Sequence, residues 1–178
     1  MCHFVTVVLP AASVLERSLE IAAAHGAAFS PHRNPSMMKC FDREAQPFRA
    51  TARHCDCGTV LGRRRRDSGP RTADESKLRR KGWSEAKIAR WREQRHSADE
   101  NRAARAHRNA ESEPDWLGLL RGLRASGAAS TIGLLLHLYS GDIYTEVVAV
   151  HDKRNIDLRL ATLETLEGME EDVLYTFA

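Results

Sequence analysis

Apolar runs of strand length recur through the chain. Phe4-Val5-Thr6-Val7-Val8-Leu9 is almost unbroken and stops at Pro10, which is how a strand buried on both faces reads. Phe48 to Ala52 is a shorter strand-like run. Thr131 to Tyr139 is apolar enough to be central in a sheet, and Ser140-Gly141-Asp142 offers a turn, so Ile143 to Val150 is expected to return as its antiparallel hairpin partner. Val173 to Phe177 predicts a last strand.

Between these runs the period changes to that of helices. Apolar residues at helical spacing predict a helix over 12–25, with Ser13 as cap, Glu16 three residues on and Gly26 as stop. Residues 27–47 carry Pro31, Pro35 and Pro47 and read as a long loop with a short turn near Met37 to Phe41. A polar stretch over 62–76 is expected to be poorly ordered. A helix capped by Ser84 then runs toward Asn109, with Trp83 packing back on Ile88. Glu113-Pro114-Asp115-Trp116 opens a helix that turns Leu117, Leu120 and Leu123 inward and ends at Gly127, and a short acidic helix starts near Thr162.

This order predicts an α+β fold: a mixed, mainly antiparallel sheet packed with helices, with a basic helical insertion between the second strand and the central hairpin. A length of 178 residues fits a single domain, 1–178, containing the partly disordered insertion at 62–112. No internal repeat, Walker loop or dinucleotide fingerprint occurs, so nucleotide hydrolysis and hydride transfer gain no support. No apolar run approaches the length of a membrane span, and the N-terminal residues lack a leader pattern. The expected location is cytoplasmic, without membrane contact.

The net charge of +3 conceals an asymmetry. Residues 63–108 hold sixteen Lys and Arg against seven Asp and Glu, whereas the rest of the chain is acidic. Arg63, Arg64, Arg65, Arg66, Arg79, Arg80, Lys81, Lys87 and Arg90 are candidates to neutralise phosphates or an acidic protein surface, with Trp91 available to stack on a base. The acidic stretch Glu164 to Asp172, of this or another copy, is a further candidate partner.

The densest chemistry lies in Arg53-His54-Cys55-Asp56-Cys57-Gly58, which sets an imidazole, two thiols and a carboxylate in four consecutive positions. In a reducing compartment two cysteines one residue apart suggest metal ligation or free thiols more than a disulfide. Cys55 and Cys57, completed from Cys2, His3, Cys40 and His54, would suit a structural zinc. Strand direction decides the matter. A tight crossover would make the Phe48 strand parallel to the first and separate Cys2 from Cys55, whereas a long antiparallel return would bring them together.

The alternative is an enzyme that uses Cys2 or Cys55 as a nucleophile beside a histidine, with His54 or His137 as the partner. Met1-Cys2 resembles the start of amidotransferases and of DNA-crosslinking proteins with an N-terminal cysteine nucleophile, which would imply that role for Cys2. The resemblance spans two residues, and His3 stands where those families continue with glycine. His137 and His151 read as hydrogen-bonded structural residues.

Overall fold

A computed structural model describes residues 2–51, 54–57, 59–62, 71–95, 97 and 113–178, the side chains of 71–74 excepted. The chain divides into two compact units, one made of Met1–Arg63 with Ser112–Ala178 and the other of Arg64–Glu111.

The first unit is an α+β fold built on one six-stranded sheet. Its strands are β1 (Cys2–Leu9), β2 (Ser30–Pro31), β3 (Gln46–Arg49), β4 (Ile132–Tyr139), β5 (Asp152–Ile156) and β6 (Val173–Phe177), in the order β2-β3-β1-β4-β6-β5. Every pairing is antiparallel except β5 with β6. Helices α1 (Leu15–Ala24), α2 (Pro35–Met38), α5 (Trp116–Ala125) and α6 (Leu163–Glu167) belong to this unit; α3 (Arg71–Arg80) and α4 (85–95) belong to the other.

β1 and β4 are apolar on both sides because both lie in the middle of the sheet. Alternation sends Val5, Val7, Leu134 and Leu136 to one face, where they join Leu119, Leu120 and Leu123 of α5 and Ala22 of α1. Phe4, Val8, Leu135 and Tyr139 go to the other face, under Met37 of α2 and Val148. Gly133 is forced by this packing, since a Cβ there would come within 2.9 Å of Val8 Cβ.

Four expectations are corrected. Ile143 to Val150 contains no strand, and β4 pairs instead with β1 and β6. The reason is local: Asp142 C=O accepts from Thr145 and Glu146 N–H, and the Glu146 carboxylate accepts from Ser140 and Gly141 N–H, so the chain coils back instead of running out as a hairpin arm. β5, outside the expected strands, forms a parallel edge on β6. Ser13 does not cap α1; the cap position is Val14, while Ser13 N–H closes a turn onto Pro10 C=O. Arg71 to Ser76, in the stretch 62–76 expected to lack order, begin a helix that runs to Arg80.

Other termini follow the sequence signals. Gly26, at φ 75°, ends α1 with Ala27 N–H returning to Ala22 C=O. Asp115 caps α5 by accepting from Gly118 N–H, and Thr162 caps α6 in a capping box with Thr165. In the second unit α3 ends at Gly82, also at positive φ, with Trp83 N–H donating to Leu78 C=O. Ser84 then caps α4, and Glu75 and Glu85 pair with Arg79 while Glu75 also takes Arg92. Among the described residues no helix is long and apolar enough to cross a membrane.

Candidate metal centre

β3 runs antiparallel to β1 but stops short, with Arg49 opposite Thr6. Beyond that point the edge of β1 still presents Val5 N–H, His3 C=O and His3 N–H, all of which need partners. The loop after β3 supplies them in turn. Asp56 Oδ2 accepts from Val5 N–H at 2.8 Å, Asp56 N–H donates to His3 C=O at 2.9 Å, and Cys57 Sγ accepts from His3 N–H at 3.1 Å. Residues 56 and 57 therefore stand in for the missing end of β3, and that docking carries both cysteines to the start of β1.

The result is a thiol cluster: the Sγ atoms of Cys2, Cys55 and Cys57 all lie within 4.8 Å of one another. Three thiolates at about 2.3 Å from one tetrahedral ion stand about 3.8 Å apart, so the cluster needs to contract by no more than roughly an ångström to close on a metal. Cys2 and Cys55 are half-buried against the apolar face of Phe4 and Tyr139, and Cys57 is exposed. Cys57 is hard to ionise on its own. Partial burial of its sulfur, the hydrogen bond it shares with Cys55 and the nearby Cys55 and Cys2 thiols push the Cys57 thiol up to about 11, against the opposing pull of the His3 N–H. A bound cation would reverse that balance, because it stabilises thiolates where neighbouring thiols oppose them.

Asp56 holds the loop from inside. Only 2% of it is exposed, and its carboxylate accepts from Thr51 Oγ1–H as well as from Val5 N–H. Burial raises its pKa; the Thr51 and Val5 hydrogen bonds and the charges of Arg49 and His3 work in the other direction. The loop closes tightly over this residue. Thr59 N–H and Oγ1–H both donate to Asp56 C=O, and a Cβ on Gly62 would fall 1.9 Å from that oxygen, so only glycine fits there.

The other candidate ligands are held elsewhere. His3 follows Cys2 on a strand and so points to the opposite face, where its Nε2 meets Glu171 Oε1 at 2.7 Å. Cys40 Sγ donates to the carbonyls of Ser36 and Val148, both at 3.5 Å. His54 is exposed beside the loop. Among the described residues the gathered set is the three cysteines alone.

In the second unit Arg79 pairs with Glu75 and Glu85, Lys87 lies 4.2 Å over the Trp83 ring and Arg95 lies 4.9 Å over Trp91. Arg80, Lys81 and Arg90 are exposed. Arg63 to Arg66 lie outside the described residues.

One polar group escaped the sequence reading. His137 on β4 donates from Nδ1 to Asp172 Oδ1 at 2.5 Å, next to His32, Tyr139 and Glu146. His137 was legible as hydrogen-bonded, but its acidic partners sit 35 and 9 residues away with no motif to join them.

No family model, no curated protein and no solved structure matches this chain.

Proposed function

We propose that this is a metal-binding protein in which Cys2, Cys55 and Cys57 together hold a thiophilic ion of the zinc class, tying the loop after β3 to the first strand. The observation that carries the reading is the convergence of three thiols from two separate chain segments within 4.8 Å. Such a site crosslinks residues more than fifty positions apart, so its stability is linked to the fold. The surroundings favour this role over a cysteine nucleophile at Cys2 or Cys55: a reactive thiol needs an adjacent cation, yet His3 points to the opposite face, His54 is exposed and His137 is held by Asp172.

Within the same proposal the basic helical unit is the part that meets a partner, either nucleic acid or an acidic protein surface, through exposed Arg80, Lys81 and Arg90. Arg79, Arg92, Lys87 and Arg95 already make ion pairs or ring contacts within the unit.

The test is elemental analysis with a native thiol count, followed by thermal unfolding with and without a chelator. The expected result is bound zinc with three protected thiols and a fall in Tm on chelation; an ion present at 100 times its Kd stabilises by about 2.7 kcal/mol. Serine at Cys55 and Cys57 should abolish the thiol protection together with the zinc equivalent that accompanies it. Full reactivity of all four thiols in zinc-supplemented protein would overturn the reading.

A further inference from the structure

A second ligand site stands on the same sheet face as the thiols and does not depend on them. His137 is 8% exposed, and its Nδ1 is engaged by Asp172 Oδ1 at 2.5 Å. Asp172 adopts φ 61°, unusual for a residue other than glycine, and in that conformation presents its carboxylate to the ring. The other ring nitrogen, Nε2, is buried without a hydrogen-bond partner and points toward Glu146 Oε1 at 3.8 Å. Glu146 is in turn fixed by Ser140 N–H, Ser140 Oγ–H and Gly141 N–H.

An imidazole whose Nδ1–H is given to a carboxylate carries its lone pair on Nε2, and that is the arrangement by which proteins aim a histidine at a metal. Here the lone pair faces a carboxylate, so two acceptors oppose each other across a short gap. Among the described residues neither Asp172 nor Glu146 pairs with Lys or Arg, which leaves two carboxylates around one imidazole without a full counter-charge. A divalent cation resolves both conflicts. Two donors at about 2.1 Å from one ion stand roughly 3.4 Å apart, a few tenths of an ångström closer than His137 Nε2 and Glu146 Oε1. His32 is not a third ligand in this state, because its Nε2 faces Ile143 C=O at 3.3 Å; water would complete the shell.

We infer that His137 Nε2 and the Glu146 carboxylate form a second metal site, for a divalent transition ion of mixed nitrogen and oxygen preference, with Asp172 as the orienting acceptor. The site is exchangeable, since the protein supplies two donors, in contrast to the three thiolates nearby.

The experiment uses zinc itself and the full chain with Cys55→Ser and Cys57→Ser, which empties the thiol centre. Dialysis against zinc should leave about one equivalent on this variant, and adding Glu146→Gln, which keeps the side chain's shape, should remove it. In parallel, long-range nitrogen NMR of the wild-type imidazoles should show Nε2 of His137 unprotonated and displaced by zinc. Folded double-serine protein that retains no zinc would overturn the inference. So would a His137 ring with protons on both nitrogens in the presence of zinc, because an imidazolium between the two carboxylates then supplies the missing charge. If the double-serine variant does not fold, the NMR result decides alone. Loss of the thiol-bound zinc with this second equivalent intact would refute nothing here, and the reverse would leave the thiol centre standing.

Discussion

Asp56 is where the architecture of the thiol centre is most exposed to test. Replacing it by alanine removes the acceptor for Val5 N–H and for Thr51 Oγ1–H. The Val5 amide lies inside a strand, where an orphaned buried donor costs about 1–3 kcal/mol. Relief of a buried carboxylate offsets part of the loss. The net expectation for Asp56→Ala is a destabilisation of about 2 kcal/mol, and about half that for Asp56→Asn, whose amide oxygen still accepts from Val5. Urea unfolding in the presence of a chelator measures this without the metal's contribution, and the midpoint should fall by about 1 M for alanine. The pH dependence has a definite sign. Burial raises the Asp56 pKa in the folded state, so this group's contribution is complete below the unfolded carboxylate value near 4 and is lost as the pH rises through the higher folded value. The wild type should therefore gain on Asp56→Asn as the pH falls from about 7 toward 4. An alanine variant within about 0.5 kcal/mol of wild type, or an asparagine variant weaker than alanine, would show that Asp56 does not anchor the loop.

Further outcomes follow from the same geometry. Gly62→Ala drives a Cβ into Asp56 C=O, so it should open the loop, expose Cys55 and Cys57 to alkylation and weaken zinc binding more than it lowers overall stability, as read by thiol kinetics beside circular dichroism. Leu134→Ala, fully buried beneath α5, should cost about 2–5 kcal/mol in unfolding while leaving metal stoichiometry unchanged in the folded fraction. Zinc loading should release protons, because the Cys57 thiol, held up to about 11 in the empty site, enters as a thiolate; affinity measured by calorimetry in two buffers should therefore fall as the pH falls. Retention on a phosphate column should weaken with salt and with Arg80→Ala/Lys81→Ala if the basic unit contacts nucleic acid; retention by an acidic protein alone would direct the search to that partner.

Much of the fold was legible because it rests on local periodicity. The unbroken apolar runs of β1 and β4 state that both are central, Leu120 and Leu123 state which side α5 buries, though Leu119 lies deeper than the expected Leu117, and Gly26, Asp115 and Thr162 mark ends that depend on a single residue's conformation or side chain. The crowding of Cys55, Asp56 and Cys57 was equally visible, since composition alone sets it apart. Pairing was not. Ile143 to Val150 has the composition of a strand, yet the turn at Ser140 to Glu146 coils the chain back, and β1 and β6, from distant segments, take the two edges of β4.

The thiol centre divides along the same line. Its chemistry, two thiols around an acid in a glycine-bounded turn, is a property of six consecutive residues and needs no structure to be seen. Its membership is a property of the tertiary fold. Cys2 joins because β3 returns antiparallel and its loop completes the bare edge of β1; His3, one residue later, is excluded because a strand turns neighbouring side chains to opposite faces. Local pattern determines which groups are offered. Strand direction and register, settled by backbone hydrogen bonds between distant segments, decide which of them meet.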